Sequence, residues 1–268
     1  MILFVIPLIH PKAAKNWNIV TNQLYSTINS IQFQKSKEWN AILVVNKGTK
    51  IPYKINENIK IFELDMPPPH INIKNKHLYS KEELWSAIRY DKGMKVYHGI
   101  KNSNKNSSKY IMVVDADDLI HKNIAKTVEN NNIPGFCVKK GYIWNGKSFF
   151  CLKDKNFDEK CGTSLIIRKD LLDIDFTSNK IDKVKVMQNL GSHRFIKEKL
   201  QKNGHSLKEI EYYCSVYMVD HGENHSSSNY SKYINKKINF RNYISLIKKL
   251  KFFFSYTAKN DFGYSTLK

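Results

Sequence analysis

Three aspartates, Asp115, Asp117 and Asp118, follow directly on an apolar run from Ile111 to Val114. Carboxylates set this close repel one another and favour water. Placing them at the end of a buried strand is costly unless a positive charge gathers there. A hard divalent cation such as Mg²⁺ or Mn²⁺ meets that need, because it takes oxygen ligands and bridges carboxylates to phosphates. The competing explanation is a strand that ends in a polar turn, with Asp118 capping a helix that begins near Leu119. A second concentration of polar chemistry runs from His221 to His225. Its histidines have the His-x-x-x-His spacing, but Gly222 and Asn224 are poor helix residues, which argues against a helical zinc site. A polar turn with Gly222 at an unusual backbone angle is the plainer reading of the same residues.

The elements that would have to hold these groups follow from periodicity. Ile2 to Ile6 is a continuous apolar run, expected of a strand buried on both faces and ended by Pro7. Trp17 to Phe33 has helical spacing, and Trp39 to Val45 and Ile59 to Leu64 read as further strands. A breaker-rich loop from Met66 to Leu78 leads to helical spacing over Glu82 to Ile100, and the acidic strand from Tyr110 follows. Ile124 to Val128 fits a short helix. Gly135 to Val138, Tyr142 to Trp144 and Ser148 to Leu152 read as short strands, with Asn145 and Gly146 supplying a hairpin turn. Leu165 to Ile167 is a short apolar segment, Arg168 to Leu172 a short helix and Ser192 to Asn203 an amphipathic helix stopped by Gly204. Tyr212 to Met218 is a last strand. Alternation of this kind predicts an α/β fold with a mostly parallel open sheet flanked by helices.

At 268 residues and 41% hydrophobic content, the chain has material for one large domain with an appendage. Its formal net charge of +20 suggests anionic partners. The basic residues, however, are almost all lysine, with arginine only at Arg89, Arg168, Arg194 and Arg241. Nucleic-acid readers favour the arginine fork, so no nucleic-acid partner is expected. The cysteines Cys137, Cys151, Cys161 and Cys214 lack zinc-site spacing and are expected to be reduced thiols. The apolar start is short and has no basic lead-in, which reads as a strand and not as a signal peptide. No apolar run is long enough to span a bilayer. From Phe240 to Phe254, apolar residues recur at helical spacing with Lys248, Lys249 and Lys251 largely elsewhere. This predicts a basic amphipathic helix, lying either on an anionic membrane or against the sheet.

In this order the pieces resemble the GT-A-fold glycosyltransferases, and the large family 2 group in particular. The resemblance covers roughly residues 1–228. It rests on the opening strand and loop from Phe4 to His10, the charged helical stretch from Arg89 to Lys95, the Asp-x-Asp motif within Val113 to Asp118, and the segment from Phe157 to Ser164. It implies a GT-A (Rossmann-like) domain over 1–228 with a small acceptor-side subregion, and a basic helical tail over 229–268. It also implies a metal-dependent enzyme that moves a sugar from a nucleotide sugar, expected to be a UDP-sugar, to a saccharide or lipid-linked acceptor, as in bacterial surface-polysaccharide synthesis. Pro7, Leu8 and Asn46 would then lie at the nucleotide, although the acid usual in the family after the second strand is missing. Asp91 and Lys92 would lie near the nucleotide too. Asp115 would contact ribose or metal. Asp117 would coordinate Mn²⁺ or Mg²⁺, and a late histidine, His225 or His221, would complete the metal shell and favour Mn²⁺. Asp158, with Glu159 as the alternative, would be the general base, since partial burial raises a carboxyl pKa. The protein would be cytoplasmic, with the tail able to hold it at the inner face of the membrane. Two rival readings remain: a phosphotransferase of the haloacid-dehalogenase type, which normally carries its Asp-x-Asp on the first strand, and a non-enzymatic basic module binding nucleic acid or membrane.

Overall fold

The structure is a computed structural model that describes residues 1–72, 74–103, 108–178, 180–223, 250–252 and 254–267. Its main sheet begins with β1 (Ile2–Pro7), β2 (Trp39–Asn46), β3 (Ile59–Leu64) and β4 (Tyr110–Val113), which all run parallel. Helix α1 (Trp17–Gln32) joins β1 to β2, and α2 (Lys81–Asn102) carries the chain from β3 back across β1 to β4. Both helices are capped as their sequences allow. The Asn16 side chain accepts from the Asn18 and Ile19 amides, and Ser80 and Glu83 form a reciprocal capping box.

Strand β1 is apolar throughout because both its faces are covered. Ile2, Phe4 and Ile6 point into a core shared with Leu24, Ile28 and Ile31 of α1. Leu3 and Val5 point the other way, into a core shared with Met94, Val96, Tyr97 and Ile100 of α2. The second face depends on Gly99. A Cβ there would stand 2.8 Å from Val5 Cγ1 and 2.9 Å from Val44 Cγ2, so its absence lets α2 settle onto the sheet.

Short elements extend both edges and add a second layer. They are β5 (Leu119–Ile120), α3 (Ile124–Val128), β6 (Gly135–Cys137), β7 (Gly141–Trp144), β8 (Phe150–Asp154), β9 (Leu165–Arg168), α4 (Lys183–Asn189), α5 (His193–Lys202), β10 (Lys208–Glu209), β11 (Ser215–Met218), β12 (Leu250–Phe252) and α6 (Phe254–Phe262). The main sheet has seven strands in the order β10-β6-β9-β4-β1-β2-β3, and β9 runs against its neighbours β4 and β6. The second sheet has five, in the order β12-β8-β7-β11-β5. This is the expected α/β architecture, a mostly parallel open sheet flanked by helices. The β7–β8 hairpin forms as expected, with Gly146 at φ 78° and Asn145 Oδ1 accepting from the Lys147 and Ser148 amides.

Three local expectations are corrected. Leu119 does not open a helix but lies in β5, and Asp118 caps nothing. Lys183–Asn189, unassigned from sequence, is helical, with Asp182 Oδ1 accepting from the Lys185 amide. In the tail, residues 240–249 and 253 lie outside the described residues. Leu250–Phe252 is a strand paired antiparallel with β8, and not the end of a helix. The helix that is described, α6, buries Phe254, Ala258 and Phe262 against Tyr142 and Trp144. Phe254 is therefore unavailable to a lipid surface. Among the described residues no helix is long and apolar enough to cross a membrane.

Candidate active site

The connections fix where a ligand can enter. The chain leaves β1 toward β2 over one face and reaches β4, on the other side of β1, over the opposite face. The strand order therefore reverses between β1 and β4, and the loops beyond their carboxyl ends part to leave a crevice. Pro7 ends β1 there. Val114 donates its amide to Val5 O at 2.9 Å, which brings the aspartates level with that end. The crevice has a volume of about 470 Å³.

The walls of this cleft differ in character. Pro7, Ile9, Ala13 and Val20 form an apolar end. Asp115, Asp117, His221 and Glu223 line it from the β4 and β11 side. Trp85, Ile88, Arg89 and Lys92 line it from α2, and His193 and Arg194 from the start of α5. The α2 residues fall at i, i+3, i+4 and i+7 of one stripe. Trp85 and Ile88 are among the apolar residues whose spacing marks Glu82 to Ile100 as helical in the sequence. In the structure their stripe faces the cleft, and Trp85 is 40% exposed.

Each acid in the cleft has a partner. Lys92 Nζ donates to Asp115 Oδ1 in a close ion pair. Burial works against the Lys92 ammonium, but Asp115 outweighs it and the lysine's pKa is raised. Gly162 makes room for this pair: a Cβ there would stand 2.5 Å from Asp115 Oδ2 and 2.6 Å from Lys92 Nζ. Asp117 Oδ2 lies 3.0 Å from His221 Nε2. A tight turn with Asp220 at φ 59° and Gly222 at φ 89° presents this histidine. Asp91 Oδ2 accepts from the buried Lys95 at 2.8 Å. Glu223 accepts from the Lys15 and Asn16 amides at 2.9 and 2.7 Å, tying the last turn before residue 224 to the start of α1.

Asp118 is different in kind. It is buried behind the cleft, where Thr163 Oγ1 and Cys161 Sγ donate to Oδ2 at 2.6 and 3.0 Å and the Met218 amide to Oδ1 at 3.3 Å. Thr163 Oγ1 in turn accepts from the Asp115 amide at 2.9 Å. Asp118 thus pins the acid loop to the Cys161–Ser164 segment and to β11. Burial, with Asp117 and Asp115 nearby, pushes its pKa well above the ordinary carboxylate range. Burial likewise raises the Cys161 thiol, which suits a structural cysteine and not a nucleophile. All four cysteines are buried and unpaired.

Of the residues expected at a site, Pro7, Asp91, Lys92, Asp115 and Asp117 all line the cleft. Asn46 does not. It is buried at the end of β2, where Nδ2 donates to Met66 O at 2.8 Å. Leu8 is buried as well. Asp158 is the main correction. It is 2% exposed, lies outside the cleft lining, and is held by Lys197 and by Lys139 at 3.3 Å. Burial opposes its charge, but the two lysines outweigh burial and lower its pKa, the reverse of what a general base needs. His225 lies outside the described residues. His221, named as its alternative, orients Asp117. Sequence reading missed His193, Arg194 and Lys160. The start of an amphipathic helix just after Gly191 and Ser192 was a usable signal, since helix N-termini at a sheet's carboxyl edge attract anionic ligands.

The donor set suits a divalent cation of one kind only. Among the described residues, no three His, Cys, Asp or Glu side chains converge into a cage. Among the described residues, Asp117 has one oxygen on His221 and no hydrogen bond on the other, and it borders the cleft. One or two carboxylates with open surroundings fit an ion such as Mg²⁺ or Mn²⁺ that keeps waters and is completed by substrate phosphates.

No family model and no curated protein sequence matches this chain. Among solved structures it is similar to a fragment of S. aureus TarS, residues 1–349, in complex with UDP. The TM-score is 0.47 and the identity 13%, with 97% of this chain and 73% of that one covered. Another structure of the same fragment gives a TM-score of 0.46 and 10% identity over the same shares. The inositol-1-phosphate CTP transferase from T. maritima gives 0.44 and 10%, covering 84% of this chain and 91% of that one. Likeness this distant leaves function to be argued from the cleft.

Proposed function

We propose that this chain is a glycosyltransferase that takes its sugar from a nucleotide-sugar donor, with help from a divalent cation at Asp117. One observation carries the reading: Asp115 and Asp117, with Lys92, Arg89 and Arg194 around them, border a single large cleft at the strand-order reversal between β1 and β4. Crevices there are where open α/β sheets take nucleotides. An acid pair beside a group of cations matches a diphosphate and the metal that accompanies it.

The chemistry follows from charge. Breaking the bond between sugar and diphosphate leaves growing negative charge on the phosphate oxygens, and fixed positive groups in a partly dehydrated cleft stabilise it. Lys92 is held for this by Asp115, and Arg89 by the face of Phe195, 5.2 Å from its guanidinium carbon. Asp117, oriented by His221, would hold a divalent cation. When bound, such a cation neutralises the departing diphosphate further. The apolar end at Pro7, Ile9 and Val20 suits a nucleobase and ribose. The exposed face of Trp85 at the rim suits a saccharide acceptor, free or lipid-linked, and a UDP-sugar is the donor to test first. The +20 net charge is compatible with work near an anionic membrane surface.

The test is UDP release from a panel of UDP-sugars, with and without Mn²⁺ or Mg²⁺. Turnover should require the cation. Asp117→Asn should reduce it by at least about 10²-fold with an unchanged circular dichroism spectrum, because a charged ligand is lost and no core contact. Full activity in Asp117→Asn would overturn the assignment.

A further inference from the structure

The second sheet carries aromatic rings at its edge that the cleft does not use. β12 is the outermost strand of that sheet, and its register sets Phe252 opposite Phe150 and Lys251 opposite Cys151. Phe149 follows the β7–β8 turn, and its carbonyl accepts from the Phe254 amide at 3.1 Å. The Phe252 ring lies 6.5 Å from that of Phe149 and 6.3 Å from that of Phe150, each pair tilted by 59°. Phe254 turns inward and is fully buried. Phe149, however, is 52% exposed, Phe252 47%, and Tyr256 in the first turn of α6 74%. Single apolar residues on a surface need no explanation, but grouped rings left half in water do.

Charge along these segments has one sign. Residues 145–153 hold Lys147 and Lys153, residues 248–260 hold Lys248, Lys249, Lys251 and Lys259, and neither stretch contains an acid. The acids that follow each stretch, Asp154 and Asp261, are taken by Lys160 and Lys122. We infer that this edge docks on an anionic lipid surface, with Phe149 and Phe252 entering the interface and Lys147 and Lys251 meeting the headgroups. A second copy of the chain fits poorly. It would set these lysines against their own counterparts, at a formal +20 on each chain. Single-stranded nucleic acid fits poorly too. It needs ring faces laid open for stacking, whereas these rings pack at an angle on one another, and neither stretch holds an arginine. Phenylalanine beside lysine suits a surface that is apolar below and anionic above.

The place of this edge gives docking a use. β7 and β11 run parallel with Met218 beside Trp144, and the Val219 amide donates to Trp144 O at 2.8 Å. The β7–β8 turn therefore emerges at the end of the second sheet where β11 runs on to His221 at the cleft. Phe150, first in β8, and Phe252, last in β12, lie at that same end. A chain held by this edge keeps its cleft near the lipid. Docking stands without the transferase reading; only its consequence, that the acceptor is lipid-linked, rests on that reading.

The experiment is co-sedimentation of the full chain with vesicles of phosphatidylcholine, alone or with about 30% phosphatidylglycerol. Wild type should pellet with the anionic vesicles and far less with the neutral ones, and salt should weaken the binding. Phe149→Ser with Phe252→Thr should lower the partition coefficient by about tenfold or more. Lys147→Gln with Lys251→Gln should lower it by about tenfold or more as well, and it leaves the aromatic packing alone, so a folding defect in the first pair does not decide the outcome. Both variants should keep the wild-type response to UDP and Mn²⁺, whatever that response is. Phe149→Trp should add an emission, over that of the native tryptophans, that bromine-labelled acyl chains quench. Equal binding to neutral and anionic vesicles, binding to neither, or wild-type binding in both double variants would overturn the docking. So would a stronger affinity for a single-stranded oligonucleotide, or a dimer in sedimentation equilibrium, that the same substitutions abolish. Vesicle binding by a chain indifferent to every nucleotide sugar would leave the docking and remove the transferase reading. Turnover without vesicle binding would do the reverse.

Discussion

At the scale of single residues, the cleft depends on what is missing as much as on what is present. Gly162 leaves space for the Lys92–Asp115 pair. Gly162→Ala should displace both heads and reduce turnover by about 10²-fold, with little change in melting temperature, because the added methyl meets flexible side-chain ends and not core. A fall in stability with normal activity would contradict this. Asp158 offers a test in pH. Its folded pKa is lowered below the ordinary carboxylate value of about 3.9 by Lys197 and Lys139 acting against burial. Its contribution to stability is therefore present above that value and is lost as pH falls through the lower folded pKa. Asp158→Asn should cost about 1–3 kcal/mol at neutral pH, and urea melts should show the gap from wild type closing below about pH 4. Turnover should fall less than tenfold; a loss as deep as that of a general base, about 10²-fold or more, would restore the original assignment. What sequence showed at this scale was charge at strand ends. Asp115 and Asp117 stand out because acids directly after an apolar run are locally anomalous, whereas Asp91 and Lys92 are reached only through the resemblance to the GT-A glycosyltransferases. His193 does not stand out, since it reaches the cleft through the packing of α5 on α2, which its own stretch of sequence does not display.

Among the elements, those with long periodic runs were legible. The runs for β1, β2, β3, α1 and α2 each carry a full apolar pattern, and they sit where the pattern put them to within a residue or two. The short pieces were not legible. The two residues of β5 and the three of β12 become strands only because β11 and β8 offer them edges, information absent from their own sequence. α4 was missed because its seven residues hold too few turns to display a period. The packing of α2 on the sheet is the element-level feature on which the site rests, since this helix carries Trp85, Arg89 and Lys92 to the cleft. Gly99→Val would place atoms where Val5 and Val44 already lie, under 3 Å from the new Cβ. The urea midpoint should drop by the equivalent of about 1–3 kcal/mol. Unchanged stability would show that α2 can shift freely, and with it the cleft's wall.

For the whole molecule, the sheet order decides where chemistry happens, and the second layer keeps that place closed. The reversal between β1 and β4 puts one apolar end, one acid pair and a set of cations around a single crevice. The described part of the tail closes the second sheet, with Phe254 and Phe262 wholly buried, so residues 250–252 and 254–262 belong to this layer and not to a separate lipid-facing helix. A net charge of +20 favours anionic partners in general, and the proposed function places one in the cleft, where Arg89, Lys92 and Arg194 gather. The measurement that bears most directly on this account is the melting temperature of the full chain with UDP and Mn²⁺ added singly and together, in wild type and Asp117→Asn. At 100-fold excess over the dissociation constant, binding adds about 2.7 kcal/mol, a rise of several degrees for a chain of this size. The account predicts that rise for wild type with both ligands present, a much smaller one with either alone, and none from the pair in Asp117→Asn. A wild-type melting temperature indifferent to UDP and Mn²⁺ together, or an Asp117→Asn variant that responds as wild type does, would contradict it.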